Sequence, residues 1–556
     1  MSPAAKSTAL FALLAAVYLV IAWPGAGDRG LIAEEATPYL ARHPVVVDAA
    51  DDRGVALLPP HDRPFRTGWI ATAQWPNLSY ATSERSWPVL IRGYQSSLGT
   101  AVGIVAGPPL GGGIAGVRRS SVLLGLSLLA LVFALARRLG LSRALASAAT
   151  LGCALSPGLL FFSRTGYGFE LASREAMYTA LVLAAAARVL SLRRALAVGL
   201  AVAAAILCRA TITATLLPAL LLLFVDPVRR SGPRPPLVAL ALGLGLPVLV
   251  AIVLTTQVGL YAGTSPTATL PLTQLADRTW SAPAHLAAQL AWVADPGTIL
   301  LPLHDHREPA PLVPLAFGAA VFLLALVRWW RERASDGECL FVAATLGNAL
   351  FGAWLYGSPL QFQLGMALEP LFVLAVTSQV GALARLRAPL LAVLLAVRAW
   401  QCHTLLDVEA RTANPMLSGA SQRALTGALL AERPGPGSVV TTTYNHVGVL
   451  ETWSSGQLAP VHAYRVLRRS RGDEARERHV AAWRALLRAY PVRFVVFTPG
   501  KNLFEGGFTD NAAAEAALTA ALHDSPLELE GRREFACESG DPCYALWKLR
   551  PRGRAQ

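Results

Sequence analysis

The chain has 556 residues, of which 54% are apolar, and a formal net charge of +14 at pH 7. Its mean hydropathy of +0.44 is too high for an ordinary soluble protein, but long polar stretches separate the apolar ones. This composition predicts a polytopic membrane protein with extramembrane parts. The basic residues are almost all Arg, grouped between apolar runs as in cytoplasmic loops, which argues against a nucleic-acid partner.

The first apolar run, residues 7–23, follows Lys6 and precedes a polar segment at 24–116. This order predicts a cytoplasmic N-terminus and a first span that leads outside. The small residues Gly25-Ala26-Gly27 leave a cleaved signal peptide as the alternative, with the same topology. The Arg, Ala and Leu bias is typical of a GC-rich bacterial genome. We expect a multi-pass protein of the bacterial inner membrane.

Further apolar segments follow the first loop. They lie at residues 119–136, 144–162, 171–190, 195–208, 210–225, 236–257, 311–328, 339–357, 364–383 and 387–404. The segments 195–208 and 210–225 are shorter than the ~20 residues of a perpendicular span, and one helix interrupted at Arg209 is the alternative. Two short spans keep the later Arg groups on the side of Lys6, which predicts about eleven spans with the C-terminus outside.

We therefore predict a mainly α polytopic membrane fold with a small α+β domain. Residues 1–404 form the transmembrane module, and residues 405–556 form the periplasmic domain. The module has a first periplasmic loop at 24–116 and a long one at 258–310. In the tail, β-branched runs at 438–443 and 493–498 and a closing run at 544–549 predict strands, and 473–490 predicts a helix.

Two adjacent acids, Glu34 and Glu35, follow the first span by about ten residues. A carboxylate beside the bilayer could act as general base on an acceptor hydroxyl, because the membrane and a bound lipid raise its pKa. A solvated acidic turn at a helix end is the alternative.

Arginines flank the next outer loop. Arg164 ends one span and Arg174 begins the following one, where an Arg can pair with a phosphate by two parallel hydrogen bonds. Snorkelling to lipid head groups explains the same placement. Arg92 and Tyr94 precede a Gly-rich segment at 98–113 that suits an interfacial or re-entrant piece, and they could contact a head group there; an aromatic belt position is the alternative for Tyr94.

The long outer loop contains His304-Asp305-His306. Neighbouring side chains point apart in an extended chain, so this triplet is a poor chelate, and a solvated loop explains it as well. No residue set has metal-ligand spacing, so we predict no metal site, although a divalent metal stays open as a cofactor. Cys537 and Cys543 bound a polar loop and could form a disulfide if the tail is periplasmic.

The order of these features resembles the GT-C superfamily of membrane glycosyltransferases, especially the bacterial relatives of protein O-mannosyltransferases and of the lipid A aminoarabinose transferase (glycosyltransferase family 39-like). The residues that carry the resemblance are Glu34-Glu35, the Tyr94 segment before Arg118-Arg119, Ser156-Pro157, Phe162-Ser163-Arg164 and the short spans around Arg209. The first-loop signature of this superfamily is usually Asp-Glu, and Glu34 stands here in place of the Asp.

The resemblance implies an inverting hexosyl- or pentosyltransferase that uses a polyprenyl-phosphate-linked sugar among the membrane lipids. Glu34 or Glu35 would deprotonate a hydroxyl of a lipid, glycan or protein acceptor, and Arg164 or Arg174 would stabilise the departing lipid phosphate. A non-catalytic GT-C-like subunit for envelope assembly is one alternative, favoured by the Glu-for-Asp exchange. A transporter or flippase is another, disfavoured because the spans are nearly free of charges, with Arg209 and Glu369 the main exceptions near span ends.

Overall fold

The computed structural model describes most of the helices and the C-terminal sheet. The described residues are 3–30, 68–72, 77–81, 86–91, 95–96, 98–166, 168–186, 190–231, 234–258, 278–298, 300–301, 311–355, 366–435, 437–442, 446–454, 457–458, 460–462, 473–498 and 511–553. Two compact units form the chain. The first unit contains Met1–Ala26, Gly93–Leu301 and Glu308–Leu406, and the second contains Gly27–Arg92, Pro302–Arg307 and Asp407–Gln556.

The first unit is helical. Its helices are α1 (Pro3–Ala22), α2 (Leu98–Ala106), α3 (Gly113–Arg138), α4 (Arg143–Ala154), α5 (Pro157–Arg164), α6 (Gly168–Ala185), α7 (Leu192–Cys208), α8 (Thr213–Ser231), α9 (Arg234–Val258), α10 (Ala282–Ala294), α11 (Leu312–Trp330), α12 (Asp336–Leu355), α13 (Glu369–Ala382) and α14 (Arg387–Glu409). The Gly-rich segment after the first loop forms α2 and a 3-10 turn at Pro108–Leu110, both too short to span a bilayer.

Every apolar segment predicted as a span coincides with a helix, or with the pair α4 and α5 for 144–162. Within the described ranges, α3, α11 and α14 are long and apolar enough to cross a membrane, and the pair α4–α5 would be a fourth such element. Shorter apolar helices occur at Thr8–Ala22, Thr213–Val225 and Arg234–Val250. The predicted mainly helical fold is confirmed.

The break between α4 and α5 has a local cause. Pro157 lacks the backbone N–H that would continue α4, and Pro is favoured at the first position of a new helix. Ser156 caps that helix, with its hydroxyl oxygen accepting a hydrogen bond from the backbone N–H of Leu159 at 3.2 Å. The two helices meet at 53°, which turns α5 out of the direction of α4.

The stretch 195–225, predicted as two short spans, forms α7 and α8. Arg209 has extended backbone angles after the end of α7, and a 3-10 turn at Ala210–Ile212 precedes α8. Helix α7 packs on α6 and α9, whereas α8 packs mainly on α12.

The second unit contains strands from two parts of the chain. Strands β1 (Gly68–Thr72), β2 (Asn77–Ala81) and β3 (Ser86–Ile91) pair antiparallel in chain order, with a register shift in β2 between Leu78 and Ser79. The short strand β4 (Gln95–Ser96) follows in the sequence and falls within the residue range of the first unit. The tail elements are α15 (Gly419–Ala431), β5 (Val439–Thr441), α16 (His446–Trp453), β6 (Val461–His462), α17 (Asp473–Ala489), β7 (Phe494–Phe497), α18 (Asn511–His523), β8 (Leu527–Ala536) and β9 (Pro542–Pro551).

The tail sheet has the strand order β6-β5-β7-β9-β8, in which β6, β5 and β7 are parallel and β9 and β8 are antiparallel. Alternate side chains of β7 enter two separate cores. Val495 and Phe497 pack with Trp483 of α17 and with α18, whereas Phe494 and Val496 pack with α15. Because both faces of β7 are covered, its sequence is a continuous apolar run.

Cys537 and Cys543 are paired in a disulfide with a Cα–Cα distance of 5.2 Å at the β8–β9 turn. The loop that they close holds the segment before α15: the N–H of Ser539 donates to the carbonyl oxygen of Thr412 at 3.2 Å. Glu538 accepts a hydrogen bond from the N–H of Ala420 at 3.1 Å. The tail part of the second unit starts at Asp407, and the predicted boundary was at 405. The second unit also includes parts of both predicted outer loops.

Candidate functional site

Several residues predicted to form the site fall outside the described residues. They are the acidic pair Glu34 and Glu35, the segment residues Arg92 and Tyr94, and the loop residues His304, Asp305 and His306. Their roles stay predictions. Arg164 and Arg174 are described, and they lie in two distinct environments.

Arg164 belongs to a group of arginines around the C-terminal end of α1, here called the α1 arginine cluster (Arg118, Arg119 and Arg164). Arg118 donates a hydrogen bond to the carbonyl oxygen of Ala26, and Arg164 donates one to that of Ile21, both at 3.1 Å. The guanidinium of Arg119 lies 5.5 Å from the ring centroid of Trp23. Cations complement the negative end of a helix dipole, which explains why they collect here.

The same end of α1 is fixed to α5 by a buried hydroxyl pair. Tyr18 donates to Ser163 Oγ at 2.6 Å, and Ser163 donates to the carbonyl oxygen of Leu159 at 2.7 Å. Because the segment that carries Glu34 and Glu35 follows α1 directly, this cluster places positive charge where that segment begins.

Arg174, on α6, is buried, with 2% of its surface exposed. Its guanidinium carbon lies 4.6 Å from the ring centroid of Phe162, and its Nε and Nη2 have no hydrogen-bond partner among the described residues. It lines a small cavity with Cys153, Ser156 and Glu369, which has room for about one water molecule. Buried donors without a protein partner are costly, so this cavity is suited to hold a water.

Next to this cavity lies a buried ion pair between Glu369 of α13 and Arg398 of α14. Arg398 Nη1 is 3.2 Å from Glu369 Oε1, and the two side chains are almost fully enclosed. Ser156 donates its hydroxyl hydrogen to the same carboxylate oxygen. Glu369 is in the first turn of its helix, where the dipole favours a negative charge.

Arg398 uses its remaining donors on two further partners. Its Nη1 donates to Gln401 Oε1 at 3.2 Å, and its Nη2 donates to the carbonyl oxygen of Val293 at 3.0 Å. Gln401 donates to the carbonyl oxygen of Ala294 at 3.4 Å. These carbonyls belong to the last turn of α10, where a helix leaves backbone oxygens unpaired. We call Ser156, Arg174, Glu369, Arg398 and Gln401 the polar network.

The sequence did not single out Arg398 or Gln401. An Arg within the apolar run 387–404 was the available signal, because a charge inside a span is rare and is usually paired. Its partner Glu369 was noted only as a charge near a span end. Within the part of the chain that the structure describes, no group of three or more His, Cys, Asp or Glu side chains could hold a metal ion.

No family model matches the chain, and no curated protein matches it. Solved structures do match it. ArnT from Cupriavidus metallidurans bound to undecaprenyl phosphate has 14% sequence identity and a TM-score of 0.52, with 96% of this chain and 97% of that chain covered. ArnT from the same organism in the apo state has 13% sequence identity and a TM-score of 0.53, with 98% of this chain and 98% of that chain covered. The apo oligosaccharyltransferase from Archaeoglobus fulgidus has 14% sequence identity and a TM-score of 0.49, with 92% of this chain and 72% of that chain covered.

The chain has a GT-C-like fold. The fold class predicted from the sequence, a polytopic helical protein with a small α+β part, is therefore confirmed. Within this GT-C-like fold, the α1 arginine cluster and the polar network are joined by the short helix α5, which Ser156 begins and Arg164 ends.

Proposed function

We propose that the protein is an integral-membrane glycosyltransferase of the inner membrane. It transfers a sugar from a polyprenyl-phosphate donor to a hydroxyl acceptor on the periplasmic face. The observation that carries this proposal is the likeness to the ArnT structure bound to undecaprenyl phosphate, which extends over 96% of this chain and 97% of that one. Matching along nearly the whole of both chains supports a shared kind of donor, a polyprenyl-linked lipid.

The α1 arginine cluster supports a site for the donor phosphate at the outer end of the first span. An Arg binds phosphate through paired N–H donors, and positive charge there attracts an anionic head group. Arg164 is half-buried at the end of α5, whereas Arg174 is enclosed in a cavity with room for about one water molecule. We therefore assign the phosphate contact to Arg164, with Arg92 and Tyr94 as further contacts from the segment before α2.

The reaction is a single displacement. Glu34 or Glu35 takes the proton from the acceptor hydroxyl, whose oxygen attacks the anomeric carbon with inversion. The bond between that carbon and the phosphate oxygen breaks, and the lipid phosphate leaves with the electron pair. Arg164 stabilises the negative charge that develops on the leaving oxygen.

The test is transfer of radiolabelled sugar from polyprenyl-phosphate donors in membranes that contain the full-length protein. Glu34→Gln/Glu35→Gln should lower the rate by about 10²–10⁴-fold, the usual contribution of a general base. The matched control is Glu528→Gln/Glu530→Gln, which removes two carboxylates that pair with Arg550 and Lys548 on the surface of β8. We expect this control to keep the wild-type rate.

Wild-type transfer that is insensitive to both Glu34 and Glu35 would show that neither is the base. Absence of transfer from every donor tested, with folded protein in the membrane, would contradict the proposed activity. It would favour a non-catalytic subunit of envelope assembly.

A further inference from the structure

Helix α5 is fixed at both of its ends by side chains from other helices. At its start, the cap residue Ser156 donates to Glu369 while it accepts from the N–H of Leu159. At its end, Ser163 accepts from Tyr18, and Arg164 donates to the carbonyl oxygen of Ile21. A helix of 8 residues is too short to be stable by itself, so these contacts set its position.

The contact at the start of α5 continues into a second region through one side chain. Arg398 holds Glu369 with one guanidinium nitrogen and the carbonyl oxygen of Val293 with the other. Its forked geometry allows both contacts at once. A single buried ion pair thus connects the cap of α5 with the C-terminal turn of α10, which belongs to the predicted outer loop 258–310.

We infer that Glu369 and Arg398 are positioning residues: their ion pair fixes α5, and thereby Arg164, and couples that position to the end of α10. The role of Arg164 rests on the proposed function, but the coupling between α5 and α10 does not. Removing one member of the pair leaves the other charge buried without its partner, which a protein relieves by local rearrangement or water entry. Both α5 and α10 should then loosen.

Three variants test this inference in the full-length protein. Glu369→Gln removes the charge that holds Arg398. Gly158→Ala keeps every charge but adds a methyl group that overlaps Met366 Sδ and lies 2.8 Å from Glu369 Oε2, so both the Met366 side chain and the carboxylate must move away from α5. Arg398→Lys keeps a cation for Glu369 but lacks the fork that also reaches Val293.

The matched control is Glu338→Gln. Glu338 is fully buried in the first turn of α12 and pairs with Arg328 at 2.9 Å, but neither residue contacts the polar network. This control separates the general effect of losing a buried carboxylate from the specific effect on α5.

The first readout is amide hydrogen exchange measured by mass spectrometry, which requires no substrate. In Glu369→Gln and Gly158→Ala, peptides that cover 157–164 should exchange about ten-fold faster or more, and in Glu369→Gln so should those that cover 288–295. Arg398→Lys should speed exchange only in 288–295. Glu338→Gln should change neither. Faster exchange confined to α13 in Glu369→Gln would overturn the inference, as would equal changes in Glu338→Gln.

The second readout is transfer kinetics. Glu369→Gln should raise the KM for the polyprenyl-phosphate sugar by about ten-fold or more, because Arg164 binds the donor only when α5 is in place. The KM should rise less in Arg398→Lys than in Glu369→Gln, and the KM of Glu338→Gln should stay near that of the wild type. If the wild type transfers nothing, the proposed function fails, but hydrogen exchange still decides the coupling. Wild-type KM in Glu369→Gln would overturn the positioning role.

Discussion

Glu170 and Arg209 form an ion pair in which both side chains are buried. Glu170 lies in the first turn of α6, and Arg209 is the residue with extended backbone that follows α7. Arg209 also donates from Nε to Thr211 Oγ1 at 2.9 Å. The pair therefore fixes the break between α7 and α8 to the start of α6. It also neutralises the buried charge of Arg209, which is not part of the polar network.

Replacing Glu170 by Gln should lower the free energy of unfolding by about 3–5 kcal/mol, because Arg209 would stay charged in an enclosed site. The double variant Glu170→Met/Arg209→Met should cost less than this single change, since neither charge is left behind. Thermal and denaturant unfolding of the purified protein in detergent would measure both effects.

The control for this prediction is Asp407→Asn, which breaks the exposed pair of Asp407 with Arg411 one helical turn away. An exposed pair of this kind contributes less than about 1 kcal/mol. Equal stability of Glu170→Gln and Asp407→Asn would show that the buried pair does not stabilise the fold.

Gly125 of α3 is required by close packing against the Tyr18–Ser163 pair. A Cβ atom at this position would overlap the Tyr18 hydroxyl and lie 2.6 Å from Ser163 Oγ. Gly125→Ala should therefore lower stability by about 1–3 kcal/mol, the usual cost of overpacking. Combining it with Tyr18→Phe should recover part of the loss, because the hydroxyl oxygen that overlaps the new methyl group is removed.

Gly245 of α9 provides the matched glycine, since a Cβ there would have no atom within 4 Å. Gly245→Ala should leave the melting temperature unchanged or raise it, because Ala lowers the entropy of the unfolded chain without strain. A melting temperature for Gly125→Ala at or above that of Gly245→Ala would contradict the packing argument.

Much of the fold follows from local sequence patterns. Apolar runs predict most helices of the first unit, but α10 lies in the predicted outer loop 258–310 and α2 in the Gly-rich segment that was not predicted as a span. The runs that became β5 and β7 predict the inner strands of the tail. Strands β1 to β3 were not predicted, because the first loop lacks strong alternation. These elements depend on pairing with partners that a local pattern does not show.

The polar network was predicted only in part. Arg174 was noted because it begins a predicted span, and Ser156 was noted because the Ser156-Pro157 pair carries part of the family resemblance. The contact between Ser156 and Glu369 joins residues 213 positions apart, and that between Arg398 and Val293 joins residues 105 apart. A single sequence contains no signal for such pairing, although the cost of an unpaired charge in a span predicts that Arg398 must have a partner.

The disulfide between Cys537 and Cys543 closes a short loop that holds residues 412–420. Removing it by Cys537→Ala/Cys543→Ala should lower the stability of the tail by about 2 kcal/mol, the loop-closure effect for a separation of 6 residues. The hydrogen bond that Tyr544 donates to the carbonyl oxygen of Pro415, at 2.8 Å, should weaken as well. Thermal unfolding with and without reductant measures the change, and the double variant should not respond to reductant.

Thiol labelling checks the disulfide independently. Cys153, Cys208, Cys339 and Cys402 are free, so denatured protein isolated without reductant should take four labels, and all six cysteines should react after reduction. Six labels without reductant would mean that the tail does not meet an oxidising compartment, which would contradict its predicted placement outside the cytoplasm.

Arg164 and Arg174 are distinguished by their surroundings, and matched substitutions separate their roles. Arg174→Met should preserve stability to within about 1 kcal/mol, because Met fills a similar volume and removes the buried donors that have no partner among the described residues. It should leave sugar transfer within about two-fold of the wild type, since the enclosed cavity cannot admit a lipid phosphate.

Arg164→Met should lower transfer by about 10²-fold or more, as expected when a group that stabilises a leaving charge is lost. Comparing kcat and KM for the donor in both variants, at equal amounts of folded protein, decides the assignment. Loss of transfer in a stable Arg174→Met protein would move the phosphate contact to Arg174 and would require α5 and α6 to separate when the donor binds.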